Sequence, residues 1–192
     1  MSKKTVLQKF IGVWNTKTII GVAIGAALFG VLMNYGSIRV FTNTSLTTAM
    51  IVPVIVGALF GPVPAAIAAG VGNVIADLIG GWGFWFDWSV GNAVLGLFVG
   101  ALPLYGAYIE DGIFEIKHMI IYALLVVVGC AVSFGLVTPI FTSIFYGGEI
   151  NITLVQGVVG SISNIIVLLV IGIPVLKALA VRNSRGKNLS AE

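Results

Sequence analysis

The sequence predicts an all-α membrane protein with six transmembrane helices and both termini in the cytoplasm. Of its 192 residues, 58% are hydrophobic and only 9% are charged, whereas a soluble domain carries about a quarter charged residues. Long uncharged stretches recur along the chain, and all but one of the basic residues fall on one side of the predicted membrane. This composition excludes a soluble globular domain and a disordered chain.

The uncharged stretches define the spans, because about 20 apolar residues cross a bilayer and a charge in its centre is costly. The first stretch has 21 residues between Lys17 and Arg39, and the second, 40–76, has 37 residues. Phe-Gly-Pro-Val-Pro at 60–64 should divide the second stretch into two helices, because proline lacks an amide hydrogen. We expect the fifth span to be long or kinked at Pro139. The predicted spans are about 18–35, 46–61, 65–80, 88–108, 118–146 and 152–176.

The basic residues orient this predicted bundle. On one face lie Lys3, Lys4, Lys9, Lys17, Lys117, Lys177, Arg182, Arg185 and Lys187. Only Arg39 falls on the opposite face. The positive-inside tendency places the face with both termini in the cytoplasm, whereas five or seven spans would divide the basic tails.

Several classes of activity lack the residues they need. Gly186-Lys187-Asn188 lacks the hydroxyl and the preceding glycine of a phosphate-binding loop, so we expect no ATP hydrolysis by this chain alone. A single histidine, His118, excludes a histidine-based metal site and a Ser-His-Asp triad. A single cysteine, Cys130, excludes a disulfide framework. Catalysis and a resident cofactor are therefore not expected.

Two polar residues near the outer end of the third span are candidates for a binding site. Asn73 and Asp77 are four residues apart and should lie on one helix face. Asp77 is the only carboxylate predicted within a span, and an ionisable residue in a membrane indicates a functional site by default. Alternatively, Asp77 caps a helix end or pairs with Arg39.

An aromatic segment, 82–88, follows that helix and contains Trp85, Asp87 and Trp88. Such residues could stack on a flat heteroaromatic ligand, or they could form an ordinary interfacial belt. Asn92 lies one turn beyond Trp88 and could contact the same ligand. Further along the chain, Gln156 is an equally good candidate for ligand contact or helix packing, whereas the deeper Asn164 better fits helix packing.

The outer segment 34–45 is longer than a turn requires. It contains Tyr35 and Arg39 and could fold over a site as a lid, or it could be a plain connection.

Small residues cover more than one face of the first span. Gly21 and Gly25 form one pair, and Ala23 and Ala27 form another, each spaced by four residues. Such pairs allow close helix contact. Because they occupy several faces, we expect one face to remain for another protein.

Together these motifs resemble the S components of energy-coupling-factor vitamin transporters. The likeness rests on the six-helix plan, Ala23-x-x-x-Ala27, the Phe60-Gly61-Pro62 turn, Asn73-x-x-x-Asp77 and Trp85-x-x-Trp88. The resemblance implies a multi-pass subunit of the bacterial cell membrane that binds a vitamin or vitamin precursor near the outer surface. It also implies a transmembrane coupling subunit (T component), which would contact Ala23 and Ala27, and two ABC ATPases.

Hydroxymethylpyrimidine, cobalamin and riboflavin are the candidate substrates. A small pyrimidine suits amide and carboxylate hydrogen bonds between aromatic rings.

Two other functions stay open at the level of sequence. A self-contained secondary transporter or channel acting as a homo-oligomer would need coupling-ion residues or internal repeats, and neither is evident. An intramembrane enzyme would need Asp77 for its chemistry.

Overall fold

The computed structural model describes residues 5–41 and 44–189, with side chains described through residue 185. The helices are α1 Val6–Ile11, α2 Thr16–Tyr35, α3 Ile51–Phe60, α4 Pro62–Gly80, α5 Phe86–Val99, α6 Ile116–Val132, α7 Thr138–Tyr146, α8 Ile150–Val167 and α9 Ile173–Leu189. Strands β1 Ser37–Phe41 and β2 Thr44–Thr47 form a two-stranded antiparallel sheet, with Arg39 opposite Ser45. The predicted helical class is confirmed, with this small sheet added.

Within residues 5–41 and 44–189, five stretches are long and apolar enough to cross a membrane, namely Thr16–Tyr35, Pro62–Gly80, Phe86–Tyr105, Ile116–Tyr146 and Ile150–Arg185. The predicted second span corresponds to a shorter apolar helix, Thr48–Phe60. It begins later than predicted because Thr44–Thr47 pairs with β1. The Thr47 hydroxyl then accepts the Ala49 N–H at 3.1 Å and starts the helix.

The turn between α3 and α4 needs only one residue. Gly61 has a φ of 105°, which favours glycine. Pro62 follows as the first residue of α4, where a missing amide hydrogen costs nothing. Helix α4 therefore begins three residues before the predicted 65, and both prolines fit within its first turn.

The predicted fourth span extends beyond the regular helix. Helix α5 ends at Val99, and 3₁₀ turns follow at Leu102–Tyr105 and Ile109–Asp111. Gly106, with a φ of 84°, separates these turns. Proline and positive-φ glycine do not continue an α-helix, which explains the early end.

The last two spans each contain a π-helical segment. Ser133–Val137 joins α6 to α7, and Leu168–Gly172 joins α8 to α9. Pro139, where a kink was expected, is in the first turn of α7. Because it has no amide hydrogen to donate backwards, the hydrogen-bond pattern widens just before it.

The described regions nearest to the two termini meet at one end of the bundle. Lys17 forms an ion pair with Glu110 at 3.3 Å, Lys177 donates to the Phe114 carbonyl, and Asn183 donates to the Ile109 carbonyl. These contacts gather the N-terminal region, the loop before α6 and the C-terminal helix. Lys3, Lys4 and the side chain of Lys187 lie outside the described residues.

Helix α2 uses one small-residue face internally. A methyl group on Gly25 would lie 2.8 Å from Val56, and one on Gly30 would lie 2.5 Å from Ile75. These glycines therefore allow α2 to approach α3 and α4 closely. Ala23 and Ala27 are exposed on another face of the same helix.

Candidate functional site

A cavity of about 300 Å³ lies at the end of the bundle away from the termini. Its wall includes Met33, near the end of α2, whereas Lys17 lies at the start of that helix. The 16 intervening residue steps correspond to about 24 Å at about 1.5 Å per residue. The hairpin contributes Arg39, Thr44, Ser45 and Thr47 to the wall, the segment between α4 and α5 contributes Trp82 and Trp85, and helical segments contribute the rest.

Eight of the nine predicted ligand-binding residues line this cavity: Arg39, Asn73, Asp77, Trp85, Asp87, Trp88, Asn92 and Gln156. The structure does not bring Tyr35 to the cavity. The surface of Tyr35 is 79% exposed. Arg39 reaches the wall from β1 rather than from an irregular loop.

Asn73 links α4 and α5 at the cavity wall. Its Nδ2 donates to Ser89 Oγ at 3.1 Å and to Asp77 Oδ2 at 3.4 Å. Its Oδ1 accepts from Asn92 Nδ2 at 2.8 Å. All four side chains belong to buried residues of α4 and α5. The network fixes the mutual position of these helices, because buried polar groups strongly favour being paired.

Asp77 also holds the aromatic segment in place. Its Oδ2 accepts the backbone N–H of Trp85, the residue that precedes α5, at 3.0 Å. Asp77 therefore binds a backbone N–H at the start of the following helix. This role resembles the alternative considered from sequence, in which Asp77 caps a helix end. It makes no ion pair with Arg39 within the described residues.

Tyr146, at the end of α7, completes this cap. Its hydroxyl accepts the Phe86 N–H at 2.9 Å and donates to the Phe84 carbonyl at 3.1 Å. Its ring lies 5.0 Å from that of Trp85. The start of a helix has unpaired N–H groups, and here side chains from two other helices satisfy two of them.

Asp87 is the most deeply buried charged residue of the wall, at 0% exposure. Its Oδ2 contacts the Thr142 hydroxyl, and its Oδ1 has no hydrogen-bond partner. The wall therefore contains two carboxylates, from Asp77 and Asp87, and one cation, from Arg39. Burial of an uncompensated carboxylate is unfavourable, so this site favours a ligand that supplies positive charge or hydrogen-bond donors.

Aromatic side chains form the apolar part of the wall. Trp88 lies 5.8 Å from Phe134, which belongs to the π-helical segment Ser133–Val137. Trp82 and Trp85 also line the cavity. Flat rings beside a few polar groups are typical of small-molecule sites.

Sequence reasoning missed several wall residues. Phe134 and Thr142 carried no local signal, because an apolar helix with one threonine is common in membranes. Asn164, expected to pack helices together, lines the cavity, and its Oδ1 has no hydrogen-bond partner among the described residues. Thr44 lies in the outer segment 34–45 and Thr47 in the predicted span 46–61, and neither was expected to contact a ligand. No group of three metal-ligating side chains occurs among the residues described.

Comparison with known proteins gives one consistent result. The family model described as "ECF-type riboflavin transporter, S component" matches residues 13–181. A UPF0397 protein of Vibrio atlanticus strain LGP32 is 31% identical over 180 residues, 92% of this chain and 98% of that protein. A UPF0397 protein of Vibrio vulnificus strain YJ016 is 32% identical over 179 residues, 92% of this chain and 97% of that protein.

A solved structure shares the fold. The crystal structure of FolT bound with folic acid aligns with a TM-score of 0.61 over 86% of this chain and 95% of that chain. The sequence identity is 18%, so this likeness concerns the fold alone.

Proposed function

This chain belongs to the family of ECF-type riboflavin transporter S components, and we propose that it binds a small vitamin or vitamin precursor in the cavity between its helices. Members of this family are membrane-embedded transporter subunits and not enzymes. The observation that carries the proposal is the single cavity wall that combines Asp77, Asp87 and Asn92 with three tryptophans.

Binding by the purified protein tests this proposal. Small molecules retained after detergent purification would be identified by mass spectrometry, and their affinity measured by calorimetry. Trp88→Ala should weaken binding by about 1–3 kcal/mol, because an aromatic anchor at a binding site contributes on that scale. Val128→Ala, on an exposed position of α6, provides a control. Equal dissociation constants for wild type and Trp88→Ala would contradict the placement of the ligand.

The proposed topology has six spans, with α3 as a short one, and both termini in the cytoplasm. The gathering of basic residues at the end with the termini supports it. In a Cys130→Ser background, Ser184→Cys should be labelled by an impermeant thiol reagent only from the inside of the cell. Tyr35→Cys should be labelled from the outside. The reverse pattern would invert the orientation.

Transport is proposed to require a T component and two ABC ATPases. The exposed Ala23 and Ala27 support a docking face on α2, since their small side chains permit close helix contact. Ala27→Leu should reduce copurification with the T component and leave ligand affinity unchanged. Ala131→Leu, at an exposed position of α6, is the matched control.

Reconstitution separates this function from that of a self-contained secondary transporter. Vesicles that contain only this chain should bind the solute without accumulating it, whereas addition of the T component, ATPases and ATP should produce uptake. Accumulation by the chain alone, driven by an ion gradient, would favour the secondary transporter.

A further inference from the structure

Three buried oxygens of the cavity-lining residues have no hydrogen-bond partner among the described residues. They are Asp87 Oδ1, Asn92 Oδ1 and Asn164 Oδ1, and the three residues are 0%, 1% and 4% exposed. Buried acceptors without partners are uncommon, because each forfeits its hydrogen bonds to water. A bound molecule that donates hydrogen bonds would remove this cost.

The network fixes the Asn92 side chain with its oxygen unpaired. Ser89 Oγ donates to the Trp85 carbonyl at 3.2 Å, so it accepts from Asn73 Nδ2. The other hydrogen of Asn73 Nδ2 points to the Asp77 carboxylate. The oxygen of Asn73 must therefore accept from Asn92 Nδ2, which leaves Asn92 Oδ1 as the free atom.

The charges of the wall favour the same kind of ligand. An ionised carboxylate can only accept hydrogen bonds, and Asp77 and Asp87 outnumber the one lining cation, Arg39. A hydrogen bond from a ligand donor to the Asp87 carboxylate would be charge-assisted, whereas one to the Asn92 amide oxygen would be neutral. A ligand edge made of carbonyl oxygens would instead face acceptors and be repelled.

The volume limits the size of the ligand. About 300 Å³ is at the lower end of the range of small-molecule pockets, about 300–1,000 Å³. A space of this size suits a small heterocycle better than a corrin such as cobalamin. Trp88 and Phe134 pack against each other and would present an aromatic surface to a flat ring.

We propose that the ligand of this site is a small, flat, aminated heterocycle whose N–H groups donate to Asp87 and Asn92. This inference rests on the proposed function and specifies its substrate class. It disfavours riboflavin, whose pyrimidine edge presents two carbonyl acceptors around one N–H donor. Asn164, whose Oδ1 is unpaired, would accept a hydrogen bond from a third donor of the ligand.

The test compares pairs of probes that differ in one amino group. Calorimetry with the full-length protein in detergent would use cytosine against uracil, adenine against hypoxanthine, and 4-amino-5-hydroxymethyl-2-methylpyrimidine against its 4-oxo analogue. In at least one pair the amino compound should bind at least tenfold more tightly, because the oxo compound leaves buried acceptors unpaired. Molecules retained by the protein should carry the same amino pattern.

Asp87→Asn provides the decisive variant, because it removes the negative charge and replaces one of the two acceptor oxygens by a donor at nearly equal size. It should reduce the preference for the amino compound at least tenfold. Glu110→Gln removes a negative charge at the opposite end of the bundle, where Glu110 pairs with Lys17, and should leave the preference unchanged. If Asp87→Asn does not fold, the wild-type preference and the retained molecule decide the question.

The outcomes distinguish this inference from the proposed function. Tight binding of riboflavin or an oxo probe that depends on Trp88, with no preference for amino compounds, would overturn the inference and leave the proposed function standing. If the protein retains no small molecule and binds no probe or vitamin, both fail.

Discussion

A single methyl group on Gly157 should disturb both the stability of the bundle and its ligand site. Gly157 lies on α8, and a Cβ atom there would be 2.0 Å from the Phe134 carbonyl oxygen and 3.4 Å from Pro139. Phe134 is fully buried, and its ring lies 5.8 Å from Trp88 at the cavity wall. Gly157→Ala therefore pushes α8 directly against the backbone that carries part of the site.

The size of the effect follows from this distance. Because Cβ contacts below 3.0 Å essentially never occur, the two helices must separate by about 1.0 Å at this point. Overpacking of this kind costs about 1–3 kcal/mol, and the better helix propensity of alanine returns about 0.5–1 kcal/mol. We expect a net loss of about 1 kcal/mol, or a Tm about 2–4 °C lower for a chain of this size.

Thermal unfolding in detergent and calorimetric titration with the retained ligand would measure both effects. Gly135→Ala is the matched control, because Gly135 neighbours Phe134 and a Cβ there meets nothing within 4 Å. The Tm of Gly135→Ala should equal or exceed that of wild type, and its dissociation constant for the ligand should be unchanged. Equal Tm values for the two variants would refute the packing argument.

Two other substitutions test the site and the turn. Asn73→Leu removes three side-chain hydrogen bonds, so we expect the dissociation constant of the retained ligand to rise at least tenfold and the Tm to fall; unchanged calorimetry would refute the role of this network. Gly61→Ala combines a positive φ with a Cβ 2.5 Å from the Lys9 carbonyl and should destabilise the protein by about 1–3 kcal/mol. A melting curve that matches wild type would contradict this.

The sequence predicted much of the cavity wall because many of the residues that line it are close together in the chain. Asn73 and Asp77 share a helix face by their spacing, and Trp85, Asp87 and Trp88 follow within one short segment. The end of α4 brings that segment back over the same helix, where Asp77 accepts the Trp85 N–H. Local spacing was therefore enough to group these residues before any tertiary contact was known.

The rest of the wall depended on contacts between distant segments. Thr142 reaches Asp87 across 55 residues, and Tyr146 reaches Phe86 across 60. In a membrane helix the lipid-facing and core-facing sides are both apolar, so hydropathy does not show which face turns inward. For this reason, the sequence pattern did not indicate that α7 packs against the start of α5 at the cavity wall.

What the sequence determined by itself is the environment, since 58% hydrophobic residues and 9% charged ones require lipid around most of the chain. It also determined the approximate positions of the apolar helices, because charges and prolines interrupt them. Only the tertiary structure decided which face of each helix is internal, that β1 and β2 line the cavity, and that Tyr35 lies outside it. The physical reason is that steric fit at glycines such as Gly25 and Gly157, rather than hydrophobicity, selects the helix partners in a bilayer.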